Sequence, residues 1–444
     1  MASQKVIAAI DIGTDKCATV IAVVDGENHT PRIVGLAAAP SKGVKRSQII
    51  NLEQVTQSIN QSLDAAERMA GLEIKSAYLS VTGSHIHSQN SKGVVAISSP
   101  NQEVTELDVE RVIEAARAIS LPADREIIHA IPKSYKIDAQ EDIKDPIGMT
   151  GIRLEVETHI ITALTTVLKN MERCVNELGI EVEDFIFSGL ANSEVISSET
   201  EKELGAVVVD LGAGSTSLAV WVENSLELST SLPVGARHIT QDIALGCRLS
   251  LEQAEKLKIY LSDHAEELTQ TVRPKANESK SEFAKRKKKL DELNLLEIGI
   301  TEEPIILSKK RVIEGIIYPR IKEIMVLIGE TLEKHGLLDK VPAGLVITGG
   351  GAKTIGLTQV ARQVLGLPAQ VGKLQSNDGL TNEVYDLPMT TAIGLVQYAH
   401  KYGAVSSLGG FSFSFGSMGS FFNPSKIKQS TLDLIGMIIP KSHS

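Results

Sequence analysis

The sequence has little of what usually announces a special chemistry. Aromatic residues make up 4% of its 444 residues, with a single Trp. There are three cysteines, Cys17, Cys174 and Cys247, odd in number and far apart. No CxxC or Cys/His spacing points to zinc or a redox dithiol, so each reads as a small apolar filler. No stretch nears the roughly 20 apolar residues that cross a bilayer. The apolar run at residues 6–10 is cut off by Asp11, too short for a signal peptide. These absences predict a protein made and kept in the cytoplasm. Positive charge is in deficit too: the formal net charge is −10, which does not suit nucleic-acid binding.

What is present describes a folded protein. The chain is 42% hydrophobic and 23% charged, and its length suggests about two to four domains. That excludes a disordered, collagen-like or small disulfide-stapled chain. One local excess stands out. Five of the eight Phe (Phe411, Phe413, Phe415, Phe421, Phe422) fall at 411–422, in a stretch of Gly, Ser and Phe with almost no charge. It reads as a linker; the alternating Phe also fit a strand, an interfacial anchor or a partner site.

Periodicity organises the rest. Residues 6–10 form a continuous apolar run expected of a buried strand, broken at Asp11-Ile12-Gly13-Thr14-Asp15-Lys16 and resumed at 18–24. Residues 52–70 have helical spacing, and 77–82 return to strand. Residues 85–158 read as an α+β module, with a helix after Thr105 and strands near 94–97 and 127–136. Residues 206–222 repeat the opening pattern: a strand, the turn Asp210-Leu211-Gly212-Ala213-Gly214-Ser215-Thr216, and a second strand. The repeat implies a duplicated core. Residues 240–330 are mostly helical, and a strand at 345–348 runs into Gly349-Gly350-Gly351.

These turns carry the chemistry. At Gly13 a backbone can approach a phosphate closely enough for N–H groups to point at its oxygens. Thr14 adds a hydroxyl, Lys16 a cation, and Asp11 a carboxylate suited to hydrated Mg²⁺. Asp210, Gly212, Gly214, Ser215 and Thr216 repeat that set, and Gly349, Gly350 and Gly351 offer a third flat backbone. Each alone also fits an ordinary hairpin, bulge or helix-start loop. Neither a Walker A motif nor a GxGxxG fingerprint is present. Glu255 and Lys258 share a helix face, as a surface pair or as ligands.

In order and placement these elements resemble the actin-like ATPase superfamily. The resemblance implies an α/β fold with two ribonuclease-H-like lobes around a nucleotide cleft. ATP and Mg²⁺ would be gripped by the two turns, with Asp11 and Asp210 reaching the metal through water. Gly349–Gly351 would be the adenosine loop, and Glu255 and Lys258 would hold the ribose. Residues 388–398 resemble the second connecting helix, with Ala392 and Gly394 at its close contact.

The chain resembles the FtsA family of bacterial cell-division actin homologues more specifically. The opening IAAIDIGTDK, SVTGSHIHSQNS at 80–91, Gly189-Leu190-Ala191-Asn192-Ser193, residues 203–210 and IIYPRIKE at 316–323 carry that match, which spans nearly the whole chain. It implies a first lobe at 1–84, continued by 159–200 and 383–402, with an inserted α+β subdomain at 85–158. The second-lobe core would lie at 201–232 and 325–382, with an outer subdomain at 233–324. A linker at 403–424 and a C-terminal amphipathic helix at 425–444 would follow.

Two departures bear on chemistry. Ala213 replaces the middle glycine of the usual triplet. Ser188-Gly189 stands where the superfamily often has Glu-Pro, whose Glu orders metal and attacking water. ATP binding with slow or absent hydrolysis is the implied outcome, and no catalytic residue is assigned.

In the tail, Ile427, Thr431, Leu434, Ile435 and Ile438 form one apolar helical stripe, flanked by Lys426 and Lys428. Such a helix lies in a lipid interface. Docking on the protein's own core, or on a partner, would use the same stripe. The basic run 285–289 fits a solvated helix face, or a contact with acidic tails or membrane. The family resemblance implies partners: the tubulin-like FtsZ, near Lys309, Lys310 and Arg320; other copies in a filament; anionic lipid; later division proteins; and no nucleic acid. The expected place is the cytoplasmic face of the inner membrane at the division site. A pilus-assembly actin homologue and a small-molecule kinase of the same superfamily are the alternatives.

Overall fold

The computed structural model describes residues 4–25, 30–265, 274, 278–374 and 387–406. The Phe-rich linker and the amphipathic tail, with Lys426, Ile427, Lys428, Leu434, Ile435 and Ile438, lie outside the described residues.

The first lobe begins with β1 (Gln4–Ile12), β2 (Lys16–Asp25) and β3 (Arg32–Pro40), an antiparallel meander. A two-residue pair, β4 (Val44–Lys45) and β5 (Gln48–Ile49), leads into α1 (Leu52–Ala70). Local chemistry sets both ends of α1. The Asn51 side chain accepts from the Gln54 N–H, and Gly71 closes the helix at φ 65°. β6 (Ser76–Val81) then pairs parallel with β1.

The inserted module follows as β7 (His87–Ala96), α2 (Glu106–Arg117), β8 (Arg125–Ile137), β9 (Gln140–Ile143) and β10 (Arg153–Leu164). Its sheet runs β7-β10-β8-β9 and carries α2 on one face. Thr105 and Asp108 close a reciprocal capping box at the start of α2. Val109, Val112, Ile113 and Ala116 of α2 bury against Tyr135, Ile137, Leu154 and Val156 in a core of the module's own. The chain returns to the first lobe through α3 (Thr165–Asn176), β11 (Glu181–Phe187) and α4 (Ser188–Ile196), completing the sheet β11-β6-β1-β2-β3.

After α5 (Glu199–Leu204) the pattern repeats. β12 (Ala206–Leu211), β13 (Thr216–Val222) and β14 (Ser225–Leu232) form a second antiparallel meander. α6 (Ala236–Cys247), α7 (Leu251–Asp263), α8 (Lys280–Asp291), β15 (Glu292–Asn294), β16 (Ile306–Ser308) and α9 (Lys309–Val312) build the outer part of this lobe. α10 (Tyr318–Lys334) leads back to β17 (Gly344–Thr348), α11 (Leu357–Leu365) and β18 (Ala369–Val371), and α12 (Thr390–Ser406) ends the described chain. The second sheet, β14-β13-β12-β17-β18, has the same order and strand directions as the first. The internal repeat read from the two strand–turn–strand units is therefore a repeat of whole sheets. α10 runs unbroken through position 324.

Two contacts tie the parts together. α12 crosses α4 so closely that a Cβ on Gly394 would lie 2.2 Å from the Ala191 carbonyl oxygen. The inserted module also touches the second lobe: Lys133 Nζ reaches Glu157 at 2.9 Å and Glu227 of β14 at 2.7 Å. His159 contacts Asn90 at 2.8 Å and Ser229 of β14 at 3.1 Å.

Gly394→Val tests the α4–α12 crossing. The opposing atom is backbone, which cannot swing aside. The substitution should lower unfolding free energy by about 1–3 kcal/mol, read as a lower urea midpoint at unchanged m-value.

Candidate functional site

The duplicated sheets place equivalent strand ends opposite one another. Between them is a cleft of about 740 Å³, within the range of small-molecule sites. Asp11 near the end of β1 and Asp210 near the end of β12 both line it, as do the turns that follow them. In the first turn the Gly13 N–H donates to the Lys16 carbonyl at 2.9 Å, and Lys16 Nζ donates to the Pro388 carbonyl. In the second the Gly212 N–H donates to the Ser215 carbonyl at 3.0 Å. The turns touch: a Cβ on Gly214 would lie 2.5 Å from Thr14 Oγ1.

β17 brings the third glycine element beside Asp210. Gly349 has φ +86°, and a Cβ there would meet Asp210 Oδ1 at 2.4 Å, so only glycine fits. Gly350 has no atom within 4 Å of its Cβ position, and Gly350 and Gly351 line the cleft. On α7, Lys258 Nζ lies 2.8 Å from Glu255 Oε2 and 3.1 Å from Thr240 Oγ1, and Thr240 also donates to Glu255. The i,i+3 pair therefore faces the cleft, steadied by α6.

The electrostatics of the strand ends are unusual. Burial raises the Asp11 carboxyl above its ordinary range, against the Ser80 hydroxyl bond and the Lys16 charge. Asp210 is pushed up to about 7, by burial first and then by the charge of Asp11; Lys16 and Asn192 oppose the shift. Two partly desolvated carboxylates share one space, an arrangement that a cation relieves.

The structure brings together Asp11, Gly13, Thr14, Lys16, Asp210, Gly212, Gly214, Ser215, Glu255, Lys258, Gly349, Gly350 and Gly351 around this cleft. Thr216 is a correction. It is fully buried behind the turn, and its hydroxyl donates to the Val234 carbonyl at 2.7 Å. The start of β13 is covered on both faces, so Thr216 does not reach the cleft. Ser47, Thr82, Arg237, Thr240, Ser262 and Thr391 also line the cleft and were not singled out from sequence. They sit on elements whose local pattern carries no ligand signature.

Comparison with known proteins identifies the family. A family model described as "SHS2 domain inserted in FTSA" matches residues 83–162, and one described as "Cell division protein FtsA" matches 207–394. The cell division protein FtsA of Pseudomonas aeruginosa is 34% identical over 93% of this chain and 94% of its own. That of Borreliella burgdorferi is 37% identical over 90% of this chain and 92% of its own. The chain belongs to the FtsA family. It is an actin-like cell-division protein. The solved PilM-PilN type IV pilus biogenesis complex shares the fold, at a TM-score of 0.58 and 15% identity over 88% of this chain and 97% of that one.

The FtsA inserted module is therefore the β7–β10 body, and the family model extends a few residues beyond 85–158 at each end. The pilus-assembly alternative rests on fold likeness alone, whereas identity places the chain with FtsA. No described helix is long and apolar enough to cross a membrane.

The three residues singled out for partner binding lie outside the cleft lining. Lys309 Nζ donates to the Leu290 carbonyl at 2.7 Å, and Lys310 lies 3.5 Å from Glu314. Arg320 forks onto Asp242 and also bonds Glu323.

Asp210 holds its proton more tightly folded than unfolded. Its contribution to stability is present below its unfolded pKa near 3.8 and is lost as pH rises toward about 7. In buffer without nucleotide or magnesium, Asp210→Asn should raise the melting temperature relative to wild type at pH 8. The gain should vanish near pH 4, measured by thermal unfolding at both pH values.

Proposed function

We propose that the cleft binds ATP with Mg²⁺ and that the nucleotide acts as a clamp between the lobes of a membrane-tethered filament. The facing carboxylates Asp11 and Asp210, flanked by two phosphate-sized turns, carry this reading. The residues fit the group. Gly350 has open space at its Cβ position, Gly214 and Gly349 let the turns close on Thr14 and Asp210 at the cleft lining, and Lys16 supplies a cation. Among the described residues no group of three or more His, Cys, Asp or Glu is placed to hold a metal. Asp11 and Asp210 would therefore hold Mg²⁺ through water, as that ion prefers. Bound MgATP would supply the polyphosphate charge that both turns can grip. Glu255 and Lys258 would hold the ribose, with Gly349–Gly351 against the adenosine.

Hydrolysis would be slow or absent. At the start of α4 the cleft presents Ser188, whose hydroxyl donates to Ser217 at 3.2 Å, where the superfamily often carries a carboxylate. A small-molecule kinase finds no support, because no carboxylate at this point is placed as a catalytic base.

The filament would lie on the cytoplasmic face of the inner membrane at the division site, tether FtsZ and recruit later division proteins. Family membership supports this. The apolar stripe of residues 425–444, with Lys426 and Lys428, is the proposed anchor. Ordering a free tail costs about 1–2 kcal/mol per residue, against about 1.5–3 kcal/mol for each buried Ile or Leu. Single tails then hold weakly, and a polymer gains through many tails at once. Lys309, Lys310 and Arg320 mark the proposed FtsZ face.

Asp210→Ala should weaken ATP binding at least about tenfold in the presence of Mg²⁺, by calorimetry; unchanged affinity would remove the nucleotide site. Deleting residues 403–444 should abolish co-sedimentation with anionic liposomes, and retained binding would remove the tether.

A further inference from the structure

The short β4–β5 hairpin has an unusual tip. Val44 pairs with Ile49 and Lys45 with Gln48, leaving a two-residue loop of Arg46 and Ser47. Both have positive φ, +50° and +59°. Two successive left-handed residues make the type I′ turn, which favours Asn and Gly. Arg and Ser there are strained, and strain of this kind gathers where the surroundings hold it for a purpose.

The surroundings are specific. The Ser47 N–H donates to Thr14 Oγ1 at 3.1 Å, in the first turn. The Ser47 hydroxyl shares a 2.8 Å hydrogen bond with the Ser215 hydroxyl, in the second turn on the other lobe. The backbone of Arg46 packs on the second turn as well: a Cβ on Gly214 would lie 3.0 Å from Arg46 Cα. Ser47 lines the cleft, and the Arg46 side chain is exposed. The tip also reaches the root of the inserted module, where a Cβ on Gly83 would meet Ser47 Cβ at 3.3 Å. One serine thus joins the first lobe's turn, the second lobe's turn and the start of the module. None of these contacts involves α7 or Gly349–Gly351. The tip therefore sits where the two turns meet.

We propose that the Arg46–Ser47 tip is a third phosphate-reading element, engaging the terminal phosphate of a nucleoside triphosphate. This rests on the reading of the cleft as a nucleotide site. The Arg46 backbone lies against Gly214 while its exposed side chain stands outside the cleft lining, and its long stem would let the guanidinium turn in to a bound phosphate, a strong and directional bond. Ser47 adds a hydroxyl and couples the turns, so occupancy of the terminal-phosphate position is felt by both lobes and by the module root. A diphosphate, lacking that group, does not engage the tip.

The test compares ATP and ADP affinities, with Mg²⁺, for the full chain and for Arg46→Ala and Ser47→Ala. The expected result is a loss of about tenfold in ATP affinity for Arg46→Ala, a smaller loss for Ser47→Ala, and ADP affinity within about twofold of wild type. Preserved ADP binding also shows that the variants fold. If the ATP-to-ADP ratio is unchanged in both variants, or if both affinities fall together, the tip reads no terminal phosphate and the proposal fails while the nucleotide site stands. If the wild-type chain binds neither nucleotide, the reading of the cleft fails and takes this one with it.

Discussion

Two like charges held in one cleft are the constraint from which the site follows. Asp11 and Asp210 occupy equivalent places on β1 and β12, so the duplication that builds the lobes also sets the carboxylates in a shared space. Burial and the charge of Asp11 push the Asp210 carboxyl up to about 7 against Lys16 and Asn192, and burial raises Asp11 against Ser80 and Lys16. Such a pair is costly to a fold that uses it for nothing. It is well matched to a hydrated divalent cation and a polyanion arriving together. The open space at Gly350 gives room on one side, while Gly214 and Gly349 let the turns pack closely on Thr14 and Asp210.

The inserted module is coupled to this arrangement. It has its own hydrophobic core, yet its sheet touches β14 through Lys133 and His159. Its root packs beside the Arg46–Ser47 tip. A change in the separation of the lobes therefore acts on the module at two places, one polar and one steric. Under the proposed reading of the cleft as a nucleotide site, these contacts would link its occupancy to the inserted module.

Legibility followed the range of the forces involved. The spacing over residues 52–70 marked α1, and Asn51 and Gly71 end that helix by contacts within a few residues. The Asp–Gly turns were legible because the demand for bare backbone after a buried strand is local as well. β3 was harder to see: Arg32–Pro40 holds Gly35, three consecutive Ala and a terminal Pro, and it is a strand because β2 supplies its partner. Thr216 belonged to the turn by composition, but strand register buries it against Val234. Thr240 and Ser47 entered the site from elements distant in sequence, where nothing in their neighbours announced a role.

The sequence by itself determined the elements, the duplication and the chemistry on each turn, because hydrogen-bond caps, periodicity and glycine act over a few residues. The tertiary structure alone decided that Asp11 and Asp210 share one cleft, that Glu255 and Lys258 face it, and that a strained hairpin tip joins the two turns. Those outcomes depend on how two sheets of identical order pack around α4 and α12, and long-range packing leaves no mark on any single stretch of chain.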